Sequence, residues 1–389
     1  MDGAAERKGP FDYVLVGGGL QSGLIAMAAL ERSPGCRIAV VERDRDLGGN
    51  HTWCFHAGDV PAAMRSAVEP LVTCRWPEYD VCFPSHRRRI RAPYAAVTSS
   101  RFREVVKARL RAAPGCALIT GRSARELGAT EVELEGGRRL AGRLVIDARG
   151  PPAAPPASAT GYQVFLGLEL ALARPHRLAR PVLMDATVRQ LGGFRFVYAL
   201  PLAGDRILLE DTYFADEPRL DRELLRARVM DYARHLGLEV VRVDREESGV
   251  LPMPWAGSLP ARPDADAPLA AGYRGGFFHP ATGYSFPIAA RVADLVAAHS
   301  PERARREIEG LIRRHGIQAR YSQLLNYLAF RCFTPERRVH VFERFYRLPE
   351  ATIRRFYALE MNARDMLRIL AGRPPRGMSL PWSTVKGTG

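Results

Sequence analysis

The chain has 389 residues, 47% of them hydrophobic, so it can form two packed domains or one large domain that carries an insertion. No apolar run approaches the roughly 18 residues that span a bilayer, and the charged segment 1–10 lacks the apolar core of a signal peptide. These features predict a cytoplasmic protein.

The net charge of +15 is not by itself a sign of nucleic-acid binding. Of the 57 basic residues only three are lysine, which favours a coding bias toward arginine over a dedicated phosphate-binding surface. Residues 301–389 contain 18 basic and 8 acidic residues, and therefore hold +10 of the charge. No basic module interleaved with aromatic residues accompanies them. A basic region of amphipathic helices fits an anionic membrane surface at least as well.

The cysteines have neither a C-x-x-C pair nor the spacing of metal ligands. They are Cys36, Cys54, Cys74, Cys82, Cys116 and Cys332. We expect reduced, structural cysteines and no metal site.

The first elements of the chain follow the order of a dinucleotide-binding unit. Residues 11–16 (FDYVLV) read as a buried strand, and 24–30 (LIAMAAL) as a helix packed on a sheet. The glycine-rich segment 17–23 joins them, and a second strand at 37–41 ends in Glu42. Strand, glycine loop, helix, strand and acid therefore occur in Rossmann order.

Each residue type in this loop has a physical role. Gly17 permits the tight turn, Gly19 lets the backbone approach a pyrophosphate, and the helix N-terminus offers free N–H groups. Glu42 can accept hydrogen bonds from a ribose. Ser22 occupies the third glycine position and is small enough for close helix packing, with Gly23 directly after it. An ordinary glycine-rich turn is the alternative, but five elements in order favour a dinucleotide.

The later segments predict an α/β protein with a strand-rich insertion. Short strands at 117–120, 131–135 and 138–146 read as a three-strand meander. The other predicted elements are a helix at 98–112, a Pro/Ala linker at 151–160, strands over 162–209, a polar helix at 218–236, a strand at 239–251, a helix at 287–298 and helices over 302–372.

A Gly-Gly turn and two further loops favour FAD as the dinucleotide. The turn at Gly48 and Gly49 closely follows the acid of the second strand, as is typical of FAD proteins. The segments 147–150 (DARG) and 275–284 (GGFFHPATGY) look like the second and third cofactor loops of flavoproteins. A third loop at a helix start can place N–H groups beside a flavin ring. The acid that usually binds the ribityl chain is not evident there.

Two adjacent carboxylates end an apolar strand in the segment 207–213 (ILLEDTY). Neighbours on a strand face opposite sides, so at most one of Glu210 and Asp211 would face a given pocket. A desolvated Glu210 would have a raised pKa and could donate a proton near neutral pH. The alternative is a strand end with both acids in water.

The tail has apolar residues at helical spacing between arginines. Thr334-Pro335-Glu336 and Asn362 read as helix starts. The apolar residues are Val339, Phe342, Phe345, Tyr346, Ile353, Phe356, Tyr357, Met366, Leu367 and Leu370. Two interpretations remain open: helices packed on the protein's own core, or an aromatic face that dips into a membrane.

Eight segments in order carry a resemblance to a known family. They are VLVGGGLQSGLIA (14–26), GGNHTWCFH (48–56), VIDARGP (145–151), FRFVYALPL (194–202), LLEDT (208–212), GVLPMPW (249–255), GGFFHPATGYSFPIAARVAD (275–294) and FERFYRLP (342–349). With them the chain resembles the bacterial lycopene β-cyclases of the flavoprotein type. The resemblance covers most of the chain and places Glu210 and Asp211 on the acidic motif of that family.

The resemblance implies a redox-neutral isomerisation, in which a linear ψ end of lycopene is protonated, closes to a ring and loses a proton. It implies FAD in its reduced form, with NAD(P)H as reductant. A dry pocket with a negative charge and aromatic faces suits a carbocation. Glu210 is the expected acid or cation-stabilising carboxylate, Asp211 the second candidate. Trp53 and Phe277 are expected pocket walls, with Tyr284 as a further wall. The residues expected to contact FAD are Gly17, Gly18, Gly19, Leu20, Gln21, Ser22, Glu42, Arg43, Gly49, His51, Asp147, Arg149, Gly150, Gly276, Pro280, Gly283 and Tyr284.

The expected fold class is α/β, a two-domain FAD protein with a discontinuous Rossmann-type domain. Residues 1–60, 95–150 and 265–300 would form that domain, 61–94 and 151–264 a β-rich substrate domain, and 301–389 a helical, membrane-facing region. Acyclic carotenes are the expected partners, without nucleic acid or an obligate protein partner. The expected location is cytoplasmic, on the inner face of the membrane.

The main competing hypothesis is an FAD-dependent monooxygenase or polyene reductase that acts on a hydrophobic isoprenoid. It shares the cofactor loops but would oxidise or saturate its substrate, and so would consume NAD(P)H stoichiometrically.

Overall fold

The computed structural model describes residues 9–150, 159–257 and 264–379. Most of the linker predicted at 151–160 lies outside these residues. The strands are β1 (Phe11–Val16), β2 (Ile38–Glu42), β3 (Thr52–His56), β4 (Cys74–Trp76), β5 (Tyr79–Phe83), β6 (His86–Ile90), β7 (Tyr94–Thr98), β8 (Ala117–Thr120), β9 (Ala124–Leu127), β10 (Glu131–Leu134), β11 (Arg139–Asp147), β12 (Thr160–Leu172), β13 (Val182–Asp185), β14 (Phe194–Ala203), β15 (Arg206–Ala215), β16 (Val240–Pro254) and β17 (Leu269–Ala270). The helices are α1 (Leu20–Arg32), α2 (Arg65–Val68), α3 (Ser99–Ala112), α4 (Arg222–His235), α5 (Phe286–Ala298), α6 (Pro301–Arg331), α7 (Val339–Phe345), α8 (Glu350–Tyr357) and α9 (Ala363–Leu370).

The first sheet carries the N-terminal glycine loop. Its order is β8-β2-β1-β11-β10-β9, and β17 also pairs with β11. Strands β8, β2, β1, β11 and β17 are parallel, whereas β9, β10 and β11 form an antiparallel meander. Tyr13 and Leu15 pack with α1 and α5, while Val14 and Val16 pack against the meander. Both faces of β1 are therefore covered, which explains its continuous apolar run and confirms the predicted α/β class.

One part of the predicted meander is wrong. Residues 117–120 form β8, which pairs in parallel with β2, and the first strand of the meander is β9. A short apolar strand has the same pattern in either place. In the structure α3 leads into β8, and the chain thereby returns to pair β8 in parallel with β2.

The second sheet has the order β16-β12-β15-β14-β13-β5-β6. Its pairs are antiparallel except β13 with β5. One face packs on α4, where Leu168 and Leu209 join Leu225 and Val229 in one apolar cluster. The other face packs on the C-terminal helices. The alternation of side chains along β15 therefore sends neighbouring residues to two different environments.

A third, small sheet lies between the two larger ones. Its order is β3-β7-β4. Phe55 of β3 stacks on Phe286 of α5 at 4.3 Å, in the core of the first sheet. Cys54, on the opposite face of β3, packs with the second sheet. Residues 61–94 thus contribute β5 and β6 to the second sheet and β4 to the third, and the predicted domain limits remain a prediction.

The tail helices cover the second sheet. Val339, Tyr346 and Ile353 are buried among its phenylalanines, and Phe342 stacks on Phe194 at 4.0 Å. The aromatic stripe of the tail therefore packs on the protein's own core. In the part of the chain described here, no helix has the length and apolar character needed to cross a membrane.

Candidate functional site

The glycine loop between β1 and α1 leaves helix N–H groups free. Gly17 has φ +101°, and a Cβ there would lie 2.7 Å from the carbonyl oxygen of Ala148. Gly19 precedes α1, and a Cβ there would meet no atom within 4 Å. No side chain caps α1, and its first turn has no acid. The loop therefore has the open space and the positive helix end that a pyrophosphate needs.

The first residues of α1 are buried, so the groups they can offer a ligand are backbone amides. The side chains of Leu20, Gln21 and Ser22 are at most 6% exposed. Gly23 makes a close approach that the sequence did not assign, because a Cβ there would lie 2.2 Å from Phe102 of α3. Gly23 thus sets the spacing of α1 and α3.

The acid of β2 supports the loop. Glu42 accepts hydrogen bonds from the N–H of Gly18 at 2.6 Å and of Asp44 at 2.9 Å. Arg43 is exposed and lies 3.8 Å from the Asp44 carboxylate. A Cβ at Gly18 would press on Leu47, 2.4 Å away. The loop and the end of β2 are therefore one packed unit.

The predicted Gly-Gly turn lies against the same loop. Gly48 and Gly49 have φ of +80° and +54°, and the N–H of Gly48 donates to the carbonyl of Gly18 at 2.9 Å. Both glycines are in the left-handed region that favours glycine. His51, which follows the turn, is exposed.

The second loop follows β11. Its Asp147 is buried and accepts two hydrogen bonds from the Arg149 guanidinium, both at 2.8 Å. Burial raises the pKa of this carboxyl, but Arg149 and Arg274 outweigh it and hold the pKa below its ordinary value. Gly150 is exposed, and a Cβ there would meet no atom within 4 Å.

The segment that leads into the third loop reaches the start of α1. A Cβ at Gly272 would lie 3.2 Å from Gln21, whose amide donates to Ala289 of α5 at 3.1 Å. Gly276 and Gly283 have φ of +69° and +68°. The carbonyl of Pro280 accepts the Asn326 amide at 2.9 Å. The structure thus brings together three loops, of which the first and the third lie more than 250 residues apart in the sequence.

Two buried histidines that the sequence analysis missed stabilise the third loop. The ring Nδ1 of His279 accepts the N–H of Ala281, so Nε2 carries the proton and donates to the carbonyl of Phe356 at 3.0 Å. Burial lowers its pKa to about 3. His315 pairs through Nε2 with the carbonyl of Gly276 at 2.9 Å, and burial lowers its pKa to about 4. Both rings are neutral parts of the scaffold.

The acid pair of β15 is divided between the two faces of the second sheet. Glu210 is in register with Tyr198 of β14 and accepts a hydrogen bond from the Thr212 hydroxyl at 2.8 Å. Burial, and then the charge of Glu247, raise the pKa of Glu210 to about 8. A carboxylic acid with this pKa keeps its proton at neutral pH and can donate it.

Asp211 faces the side that α4 covers. It is fully buried and accepts two hydrogen bonds from Arg195, at 2.8 and 3.0 Å. Burial raises its pKa, and the Arg195 guanidinium opposes that change. The structure does not bring Asp211 to the Glu210 face.

The aromatic residues predicted as walls lie in different places. Phe277 is fully buried in the core of the first sheet, and Trp53 packs on Phe102 with ring centroids 5.0 Å apart. The Tyr284 hydroxyl donates to Asp59. The rings on the Glu210 side include two tyrosines that the sequence did not single out, Tyr198 and Tyr94, which belong to one cluster of buried side chains. They come from separate strands, so no local spacing could reveal them.

The described residues contain no group of His, Cys, Asp and Glu side chains arranged to hold a metal ion.

A family model described as lycopene cyclase protein matches residues 12–381. The chain belongs to the lycopene cyclase family. Relatives named lycopene β-cyclase are similar over nearly their whole length: the protein of Pseudescherichia vulneris is 42% identical over 95% of this chain and 96% of its own, and that of Pantoea ananas is 39% identical over 94% and 95%.

The fold has counterparts among solved flavoenzymes. A Pseudomonas aeruginosa structure described as a probable FAD-dependent monooxygenase superposes with a TM-score of 0.59, covering 85% of this chain and 98% of that one at 18% identity. At this identity the likeness concerns the fold alone. The chain therefore has a Rossmann-type architecture like that of these flavoenzymes, and the predicted fold and family are confirmed.

Proposed function

We propose that this chain is a lycopene β-cyclase, an isomerase of the intramolecular-lyase class that closes the ψ ends of lycopene into β rings. The observation that carries the proposal is Glu210, a carboxyl with a raised pKa on an aromatic face, in a chain of the lycopene cyclase family. The proton of Glu210 adds to the terminal double bond of the substrate. The neighbouring double bond attacks the tertiary cation, and loss of a ring proton restores neutrality, so no electrons are gained or lost.

The free N–H groups of α1 and the open space at Gly19 fit the phosphates of a dinucleotide. Glu42, Asp147 and Gly276 stand on the three loops that meet there. The residues proposed to hold FAD are those predicted from the sequence, with NAD(P)H as the reductant. When bound in its reduced form, the flavin supplies negative charge beside the site.

The residues of the chain itself supply the proton and the dry surroundings. Burial raises the pKa of Tyr198 and Tyr94 well above the ordinary value, so both phenols are neutral. Their ring faces can stabilise a passing cation. Glu210 is the proposed acid, and Asp211 is proposed to stabilise the sheet beneath it through Arg195.

A membrane-facing surface is proposed on α6 and α9. Ile317 and Leu324 lie seven residues apart on one face of α6 and are 65% and 43% exposed, and Leu367 of α9 is 69% exposed. Arg313 and Arg320 are exposed on α6 as well. Exposed apolar residues beside arginines suit the inner, anionic face of a membrane. Carotenes dissolve in the hydrocarbon interior of that membrane.

Expression in a host that accumulates lycopene tests the function. The expected product is β-carotene, or the one-ringed γ-carotene. NAD(P)H use should be catalytic rather than stoichiometric. Unchanged lycopene from folded, flavin-loaded protein would refute the cyclase. An oxidised or saturated carotene would instead support a monooxygenase or polyene reductase.

Liposome flotation tests the membrane surface. Replacing Ile317 and Leu324 by glutamine should reduce binding to anionic vesicles, whereas replacing exposed Val241 on β16 should not. If the unmodified protein, the Ile317/Leu324 variant and the Val241 variant bound equally well, this surface would not be a membrane contact.

A further inference from the structure

A second carboxylate shares the Glu210 face. Gly167 of β12 is in register with Glu210 of β15 on one side and with Glu247 of β16 on the other. The three residues form one row across the sheet, so their side chains point to the same face. Glu247 lies 37 residues after Glu210 in the chain, and no motif of the acidic segment includes it.

The two glutamates use space that Gly167 leaves open. A Cβ at Gly167 would lie 3.2 Å from Cγ of Glu247 and 3.3 Å from Cβ of Glu210. Any side chain at this position would therefore press on both glutamates. Because Gly167 has no side chain, the side chains of Glu210 and Glu247 can both extend over β12.

The two members of the pair have different partners. Glu247 is 4% exposed and accepts a hydrogen bond from Arg245 at 2.7 Å. Arg245 also binds Glu169 at 3.1 Å and donates to Thr52. A guanidinium is always charged, so Glu247 has a fixed counter-ion. The Glu210 side chain instead accepts a hydrogen bond from a neutral hydroxyl, that of Thr212.

We propose that Glu247 is a positioning residue for the reaction, whose Arg245-held negative charge keeps the proton on Glu210 until substrate arrives. This proposal rests on the proposed role of Glu210 as the acid. Two carboxyl groups that share one buried space do not both ionise readily, because like charges repel strongly where water is excluded. Arg245 provides Glu247 with a counter-ion, whereas the Glu210 carboxyl is hydrogen-bonded to a hydroxyl, so the proton stays on Glu210.

The other groups around Glu210 do not replace this charge. From neighbouring elements it faces Tyr198 of β14 and Cys54 of β3, and burial raises the pKa of both, so they are neutral. Arg245 acts against the effect of Glu247 but is weaker, and Asp211 on the opposite face adds less. The charge of Glu247 is the largest electrostatic influence on Glu210 after burial itself.

The test is the pH dependence of cyclisation by the flavin-loaded enzyme, with lycopene in liposomes between pH 6 and 9. Glu247→Gln removes the charge but keeps the size of the side chain. Glu210 should then ionise at lower pH, so the alkaline limb should move down by about one pH unit and the rate at pH 8 should fall about tenfold relative to pH 6. Glu247→Asp keeps the charge, so its alkaline limb should lie at the same pH as that of the unmodified enzyme.

The matched control is Glu246→Gln. Glu246 is the next residue of β16, faces the other way and pairs with Arg222 and Arg226 at the surface. Its replacement should leave the alkaline limb of the pH–rate profile at the same pH as in the unmodified enzyme. A limb that stays in place in Glu247→Gln would overturn the proposal, as would an equal loss of rate at every pH.

A readout that needs no turnover is the carboxyl carbon-13 signal of Glu210, assigned with Glu210→Gln. It should titrate at lower pH in Glu247→Gln than in the unmodified protein, and an unchanged midpoint would refute the proposal. A failure of the cyclase itself is distinguishable, because the unmodified enzyme would then form no cyclic carotene at any pH.

Discussion

Glu210 and Asp211 are consecutive residues with the same functional group, yet they lie in different environments on the two faces of β15. Asp211 is held by the Arg195 guanidinium between the sheet and α4. Glu210 meets a hydroxyl, tyrosines and a second carboxylate. A buried carboxylate with a bidentate counter-ion stabilises the fold, whereas one without such a partner keeps a proton that it can donate in a reaction. Both carboxyl groups are buried, so their different hydrogen-bond partners distinguish the two roles.

The largest expected effect comes from removing the proton donor. Glu210→Gln keeps the shape but cannot donate a proton, so cyclisation by the purified enzyme should fall about 10³-fold. Flavin absorbance should be retained, because the substitution preserves the size of the side chain. Asp211→Asn should reduce the rate per folded molecule less than tenfold. Comparable losses in both variants would mean that the two faces do not have separate roles.

The second prediction concerns stability on the Asp211 face. Arg195→Met leaves Asp211 buried without its counter-ion, which should cost about 3–5 kcal/mol in the free energy of unfolding by urea. The double variant Arg195→Met with Asp211→Leu should recover most of that loss, since an apolar pair can replace a buried ion pair. If the single variant were as stable as the unmodified protein, the ion pair would have no structural role.

The third prediction uses pH. The pKa of Glu210 is raised from 4.5 to about 8, so the folded state binds a proton that the unfolded state releases between these values. Stability should therefore decline as pH rises from about 5 to 8, and Glu210→Gln should make that decline shallower. Urea unfolding of both proteins at pH 5, 6.5 and 8 measures the difference. If stability declined equally with pH in both proteins, Glu210 would not titrate between pH 5 and 8.

The smallest effect is expected in the glycine loop, where a structural and a ligand-facing position are again close in sequence. Gly23→Ala would clash with Phe102 and should cost about 1–3 kcal/mol of stability. Gly19→Ala meets no protein atom and should mainly weaken FAD binding, measured by flavin fluorescence. A loss of stability in Gly19→Ala without a loss of FAD affinity would contradict this assignment.

Much of the fold followed from local patterns. The apolar run of β1, the glycine loop and the acid at Glu42 predicted the Rossmann unit, and the structure agrees from β1 to β2. The place of β8 was not predictable, because a four-residue strand pairs equally well in a meander or at the edge of a parallel sheet. The buried rings of His279 and His315 were missed for a related reason: their partners are backbone carbonyls 39 to 77 residues away.

The sequence by itself determined that Glu210 and Asp211 point to opposite faces, since side chains alternate along any strand. It also determined that one side of each tail helix is apolar, because that follows from helical spacing. The tertiary structure alone decided that Arg195 meets Asp211, that Gly167 lies between Glu210 and Glu247, and that the tail aromatics cover the second sheet. The reason is physical: strand pairing joins residues tens of positions apart, and no local spacing encodes which strands become neighbours.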